Sequence, residues 1–141
     1  HWSHTREFNL KQDILASRLM FDSGVPLIQI PCLGLASHLQ TTVPELDHYL
    51  SESNIGQYLV NIVRNYGSDS YAYSKVIWDI SAIAYLINQD WVKTNLVHSP
   101  VLTDQVTWSF DNSRHFIKVA QKLDRDRIFG DLFQKLNNVK K

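Results

Sequence analysis

Two short stretches carry residue types that could do chemistry. In the first, Trp78 and Asp79 stand where an extended apolar approach beginning at Lys75 gives way to a helix. A carboxylate and an indole at a helix start can form a ligand site. Alternatively, the carboxylate caps the first turn and the indole packs in the core. The second stretch, Glu7-Phe8-Asn9, lies close to the first residue, and its presence favours the ligand site.

Length and charge exclude several classes of protein. The chain has 141 residues, which is the length of one domain. Its 14 basic and 14 acidic residues cancel, which leaves no basic field for nucleic acid and no polybasic segment for a membrane surface. No apolar run approaches the roughly 20 residues that span a bilayer. The single cysteine, Cys32, cannot form an internal disulfide, which favours a reducing, cytoplasmic setting.

The ends of the chain and its histidines bear on how it is organised. The first residue is His1 rather than methionine, so we expect a piece of a longer protein. The histidines His1, His4 and His38 lack the cysteines of a zinc site and are expected to be surface or loop residues. No repeat, low-complexity stretch or linker interrupts the sequence, and residues 1–141 are therefore expected to form a single domain.

Helix and strand alternate in the first part of the chain. A helix is predicted over residues 13–21, capped by Asp13 and closed by Gly24. The run 27–30, halted by Pro31, is typical of a buried strand, and residues 32–42 would form the ligand loop that commonly follows such a strand. The apolar side of the helix is expected to consist of Ile14, Leu15 and Leu19.

Three more helices are predicted up to about Gln89. They cover residues 44–50, residues 54–66, and a segment that starts at Ile80 with Asp79 as its N-cap. A polar surface loop, 67–70, follows the second of them after Gly67. The residues at helical spacing in the second are Ile55, Leu59, Ile62, Val63 and Tyr66.

The period of the pattern changes after Thr94. Segments 94–102, 105–110 and 115–123 are short, rich in Val, Thr, Phe and Trp, and separated by good turn sequences. They predict a short antiparallel meander. Asp124 or Asp126 is expected to cap a last amphipathic helix. The fold class expected from the whole pattern is α/β, a mixed sheet with helices.

The two stretches together resemble the C-terminal half of the inosine-uridine-preferring nucleoside hydrolase family. The family has a Glu-Phe-Asn triplet before a capped helix, as in Glu7-Phe8-Asn9 with Asp13, and then the run Ser23-Gly24-Val25-Pro26 before a strand. It also has an aspartate at the start of an apolar helix, preceded by His or Trp, which matches Trp78-Asp79. The resemblance extends over nearly all of the chain and implies a nucleoside-hydrolase-like fold.

The resemblance also implies a reaction and roles for four residues. The reaction is hydrolysis of the N-glycosidic bond of a ribonucleoside through an oxocarbenium-like transition state. Glu7 and Asn9 would hold ribose hydroxyls. Asp79 would be one ligand of a divalent ion, usually calcium, and Trp78 would stack on the base with a leaning towards purines. The two pairs would then converge on one surface, with a ribonucleoside as the partner and a homo-oligomer left open.

The sequence departs from the family in three places. The N-terminal aspartate cluster that supplies most metal ligands is absent, His1 precedes Trp2 where many members have Asn, and Trp78 replaces the histidine that protonates the leaving base. Two alternatives therefore stay open. One is a non-catalytic interaction or regulatory module that retains the fold. The other is an unrelated α/β scaffold with Asp79 as a plain cap and Glu7-Phe8-Asn9 as a chance triplet.

Overall fold

A computed structural model describes residues 7–66 and 71–138. These residues form a mixed α/β fold, which confirms the expected fold class. The helices are α1 (Phe8–Gln12), α2 (Ile14–Asp22), α3 (Val43–Leu50), α4 (Asn54–Tyr66), α5 (Ile80–Ile87) and α6 (Arg125–Asn138), with 3₁₀ turns at Ala36–His38 and Gln89–Trp91. The strands are β1 (Ile28–Gln29), β2 (Gln40–Thr42), β3 (Ser74–Val76), β4 (Val92–His98), β5 (Val101–Leu102), β6 (Trp108–Ser109) and β7 (Phe116–Leu123).

The fold consists of two compact units. The first contains the described residues up to Ala36 together with Val92–Leu123. The second contains Ser37–Trp91 together with the described residues from Asp124 onward. The expectation that residues 1–141 form one domain stays a prediction.

A three-stranded sheet with the order β1-β7-β4 organises the first unit. β1 runs parallel to β7, and β4 runs antiparallel to it. Helix α2 covers one face of this sheet through Phe21, which packs with Ile117 and Val119. The Phe21 ring also meets Trp108 edge to face, with 5.0 Å between ring centroids. The core of this unit therefore lies between α2 and one sheet face.

Helix α2 begins as predicted but buries a different side. The Asp13 carboxylate accepts a hydrogen bond from the Ala16 amide at 2.8 Å, so Asp13 is the cap. The expected apolar side was wrong, because Leu15 and Leu19 are 76% and 68% exposed. The helix is instead fixed by Phe21 and by Arg18, whose Nε donates to the Leu102 carbonyl at 2.7 Å.

The strands of the first unit differ from their predicted form in two ways. The strand expected at 27–30 is reduced to Ile28–Gln29 at the edge of the sheet, and Ile28 is 41% exposed rather than buried. The C-terminal strands are antiparallel, as expected, but they are not paired in simple succession. β4 pairs with β7, while β5 and β6 pair with each other between them. The predicted first strand is divided at Ser99-Pro100, and Ser99 is fully buried there.

The second unit packs helices α3, α4 and α6 around buried side chains of Leu50, Val60 and Phe129. Thr42 caps α3 by accepting the Glu45 amide at 3.4 Å, and Asp124, not Asp126, caps α6 by accepting the Arg127 amide at 3.1 Å. Helix α4 has the predicted bounds, but its buried residues are Gly56, Val60 and Val63, while Ile55, Ile62 and Tyr66 are exposed. Gly67 and the loop predicted at 67–70 lie outside the described residues.

Candidate functional site

Glu7 lies immediately before α1 with an extended backbone, φ −68° and ψ 131°. Its side chain does not cap that helix. The carboxylate instead accepts a short hydrogen bond from the backbone amide of Cys32. Cys32 follows β1 and Pro31, so Glu7 is held against the loop at the carboxyl end of a strand, where ligands gather in α/β proteins.

Asn9 reaches the same residue from the first turn of α1. Its Nδ2 donates to the Cys32 sulfur at 3.5 Å, a long contact of the kind made to thioethers and thiols. The structure therefore brings Glu7 and Asn9 together at one loop position, although 25 and 23 residues separate them from Cys32. Part of their hydrogen-bonding capacity is used to fix that loop.

A cavity of about 120 Å³ lies beside Glu7, towards the carboxyl ends of the parallel strands β1 and β7. Its volume is well below the roughly 300–1,000 Å³ of sites that enclose a drug-sized ligand. The buried Oε1 of Gln29 has no hydrogen-bond partner within residues 7–66 and 71–138. Gln29 was not predicted as a site residue, although an amide in the apolar run 27–30 was a signal. The cavity is lined by Glu7, Gln29, Pro31, Leu33, Trp108 and Gln121, among others.

The second pair of predicted residues, Trp78 and Asp79, is positioned by the antiparallel pair β2–β3. Gln40 lies opposite Val76, and the Ile77 amide continues the pairing by donating to the Leu39 carbonyl at 2.9 Å. Leu39 is fully buried, so this anchor is fixed in the core of the second unit. The chain then turns directly into α5.

Asp79 is the N-cap residue of α5, as predicted, but its carboxylate does not cap the helix. Its backbone is already helical, with φ −78° and ψ −16°, and its side chain makes no capping hydrogen bond. Capping side chains act from an extended backbone. The Ser81 hydroxyl donates to the Trp78 carbonyl at 2.9 Å, but this bond does not replace a cap, because a capping side chain accepts from backbone amides.

The Asp79 side chain is available for a ligand, whereas the Trp78 side chain is less accessible. Asp79 is exposed, and its carboxylate has no hydrogen-bond or ion-pair partner in the described part of the chain. Trp78 is partly buried, and no ring contact to it is found among the same residues. A carboxylate with both oxygens open beside an indole can accept hydrogen bonds or bind a cation, while the indole offers an apolar face.

The described residues do not themselves fit a calcium ion. Calcium takes six to eight oxygen ligands, and one carboxylate supplies at most two. Within residues 7–66 and 71–138, no three His, Cys, Asp or Glu side chains cluster as metal ligands would. Asp79 therefore cannot hold the ion without oxygen ligands from elsewhere.

An ion pair supports the strands that lead to Trp78. Arg125 at the start of α6 donates to the Glu45 carboxylate at 2.7 Å and to the Gln40 carbonyl of β2 at 2.8 Å. Partial burial raises the pKa of the Glu45 carboxyl, but hydrogen bonds from Arg125 and Thr41 outweigh it and hold that pKa below its usual value. The Arg125 pKa is lowered by burial and raised by Glu45 and Asp126, with a net rise. Both groups stay charged at neutral pH, and they tie α6 to β2.

Glu7 and Asn9 belong to the first unit, and Trp78 and Asp79 belong to the second. Their convergence on a single surface stays a prediction. No helix among the described residues has the length and apolar character needed to cross a membrane.

The fold is similar to that of a solved plant nucleoside hydrolase. The two chains superpose with a TM-score of 0.76 at 16% sequence identity. The match covers 92% of this chain but 47% of the plant chain, so this chain spans about half the length of that protein. No family model and no curated protein matches the sequence. The likeness therefore shows a nucleoside-hydrolase-like fold.

Proposed function

We propose that this chain is part of a nucleoside hydrolase, which cleaves the N-glycosidic bond of a ribonucleoside to give the free base and ribose. The observation that carries the proposal is the agreement in fold over 92% of the chain. Two local features add to it. Glu7 and Asn9 both contact Cys32 in the loop that follows β1. The Asp79 carboxylate lies at the start of α5 and makes no capping hydrogen bond there.

The proposed chemistry assigns each of the four residues a task. Glu7 and Asn9 bind ribose hydroxyls, the carboxylate as an acceptor and the amide as both donor and acceptor. Water adds to the anomeric carbon as the base leaves, and positive charge develops on the sugar ring in the transition state. The Asp79 carboxylate stabilises that charge electrostatically and contributes oxygen to a divalent cation, calcium in the proposal. The Trp78 indole stacks on the base.

Proton supply to the leaving base limits what these residues can do alone. The indole N–H of Trp78 is a fixed donor and does not give up its proton. The remaining cation ligands and the acid for the leaving base are proposed to come from a segment outside these 141 residues. Purine preference and a cytoplasmic setting belong to the same proposal.

One observation favours a second candidate, a module that keeps the fold without the chemistry. Glu7 and Asn9 already bond Cys32, and a purely structural role for the triplet would account for both contacts. Kinetics separate the two candidates. For the protein expressed from its own gene, release of ribose from inosine and uridine is measured for Glu7→Gln and Asp79→Asn, with Glu52→Gln as an exposed control.

If the protein is a hydrolase, Asp79→Asn should lower kcat/KM at least about 100-fold, which is the typical effect of removing one transition-state contact. Glu52→Gln leaves kcat/KM unchanged. Absence of ribose release from the unmodified protein, or equal kcat/KM in all three variants, would refute the hydrolase. Absence of ribose release from the unmodified protein, together with a drop in melting temperature for Glu7→Gln, would instead support the structural module.

A further inference from the structure

In the sheet of the first unit, one face is covered and part of the other face is open. Side chains alternate between the two faces along each strand, and Phe21 of α2 covers the face that carries Ile117 and Val119. On the other face, Ile28 of β1 and Leu96 of β4 both lie opposite Lys118 of β7. We call the surface formed by Ile28, Leu96, Phe116 and Lys118 the open face.

Large apolar side chains are exposed on the open face. Ile28 is 41% exposed, Leu96 is 67% exposed and Phe116 is 59% exposed. The row Ile28–Lys118–Leu96 crosses all three strands, and Phe116 lies two residues before Lys118 on the central strand. Parallel pairs such as β1–β7 are normally covered on both faces. Several large apolar side chains exposed on one sheet face, around a single lysine, indicate a contact with another element or protein.

The edge of the sheet is open as well. In the described part of the chain, β1 pairs with β7 on one side only. An unpaired edge presents backbone donors and acceptors to a further strand. Ile28 belongs both to the open face and to the unpaired edge strand β1. One further segment could therefore cover the face and pair with the edge.

Lys118 restricts what can cover this face. Its side chain lies between Ile28 and Leu96, and no described carboxylate pairs with it. A lysine enclosed by apolar groups needs a carboxylate partner, since an unpaired buried charge is strongly destabilising. A second copy docked by two-fold symmetry would place the same patch against itself and bring Lys118 towards Lys118. That arrangement is unfavourable.

We infer that the open face is the docking surface for an α/β segment that completes the sheet. This segment packs apolar side chains on Ile28, Leu96 and Phe116, presents a carboxylate to Lys118 and adds a strand beyond β1. The fold match points to this occupant, because more than half of the plant chain lies outside the matched part while 92% of this chain lies within it. The inference depends on the likeness in fold and not on the proposed catalysis, so either can fail without the other.

A site-specific photo-cross-linker tests the inference on the protein expressed from its own gene in its own cells. The cross-linking residue replaces Leu96, and a control places it at the exposed Asn112 in the turn before β7. Cross-linked peptides are identified by mass spectrometry. Two further variants, each combined with the cross-linking residue at position 96, test the charge. They are Lys118→Glu and, as a control, Lys122→Glu, an exposed lysine on the same strand beyond the point where the register of the β4–β7 pairing shifts.

The expected result is a cross-link from position 96, and none from 112, to a peptide that is encoded by the same gene and lies outside these 141 residues. Lys118→Glu is expected to lower its yield at least about tenfold, and Lys122→Glu to leave it unchanged. A cross-link to another copy of the 141-residue sequence would overturn the inference. So would a cross-link to a different protein, an equal yield from position 112, or no cross-link at position 96.

Discussion

Replacing Gly56 with alanine should destabilise the protein strongly, and the reason lies in one backbone contact. A Cβ at position 56 would lie 2.0 Å from the Leu50 carbonyl oxygen and 2.8 Å from the Ser53 hydroxyl. Carbon atoms in good contact are about 3.5–4.0 Å from their neighbours, so α3 and α4 would have to separate by more than about 1 Å. The obstructing atom is backbone and cannot rotate away.

The size of the effect follows from two opposing contributions. Overpacking that moves backbone costs about 1–3 kcal/mol, at the upper end or beyond for a contact this short. Alanine returns at most about 1 kcal/mol through its higher helix propensity. We expect Gly56→Ala to lower the free energy of unfolding by about 2–3 kcal/mol, or the Tm by roughly 6–12 °C for a chain of this size.

Gly130 in α6 provides a matched control for Gly56→Ala. A Cβ there meets no atom within 4 Å, so Gly130→Ala should raise the free energy of unfolding by about 0.5–1 kcal/mol. Urea unfolding and thermal melts followed by circular dichroism measure both variants. The reasoning is refuted if Gly56→Ala changes the unfolding free energy by less than about 0.5 kcal/mol, or if both variants shift it in the same direction.

Three further predictions concern charge, metal and base recognition. Because the pKa of Glu45 is lowered on folding, its contribution to stability is present above its ordinary pKa of about 4.3 and is lost as the pH falls through the folded-state value. Glu45→Gln should therefore be less stable than the wild type at pH 7 in urea titrations, and the difference should shrink as the pH is lowered; a difference that stays constant would contradict this. The 141-residue chain alone should bind calcium more weakly than micromolar and cleave no inosine, since Asp79 supplies at most two oxygens; calorimetry that finds micromolar binding would show this to be wrong. In the protein expressed from its own gene, Trp78→Ala should cost about 1–3 kcal/mol of base binding, more for inosine than for uridine, whereas Asp79→Ala should reduce kcat for both substrates. If Trp78→Ala lowers kcat/KM equally for both substrates and also lowers the Tm, Trp78 is a core residue.

Local signals in the sequence were enough to place several elements. The bounds of α4 and the Asp13 cap of α2 follow from helical spacing and capping chemistry, which act within a few residues. The side that each helix buries could not be predicted in the same way. Leu15 and Ile62 have the right spacing for a core but are exposed, because the buried side depends on which elements pack against the helix.

The sequence could not specify the contacts of the candidate site residues, and the roles of those residues stay a prediction. Glu7 accepts a hydrogen bond from Cys32 and Asn9 donates one to it, across more than 20 residues of sequence, and no short-range pattern specifies such a pairing. Asp79 was expected to cap α5 by residue type, but its own backbone had already entered the helix and its carboxylate was left open. Gln29, with its buried and unpartnered oxygen, was overlooked because the strand 27–30 was interpreted only as apolar.

Hydrolysis of a nucleoside in isotopically labelled water tests the proposed function most directly. The protein expressed from its own gene is incubated with inosine in H₂¹⁸O, and the products are analysed by mass spectrometry, with Asp79→Asn in parallel. The account predicts free hypoxanthine and ribose in equal amounts, with one ¹⁸O at the anomeric carbon of ribose and none in the base, and at least about 100-fold less of both products from the variant. Intact inosine after prolonged incubation, or product formation equal in the two proteins, would contradict it.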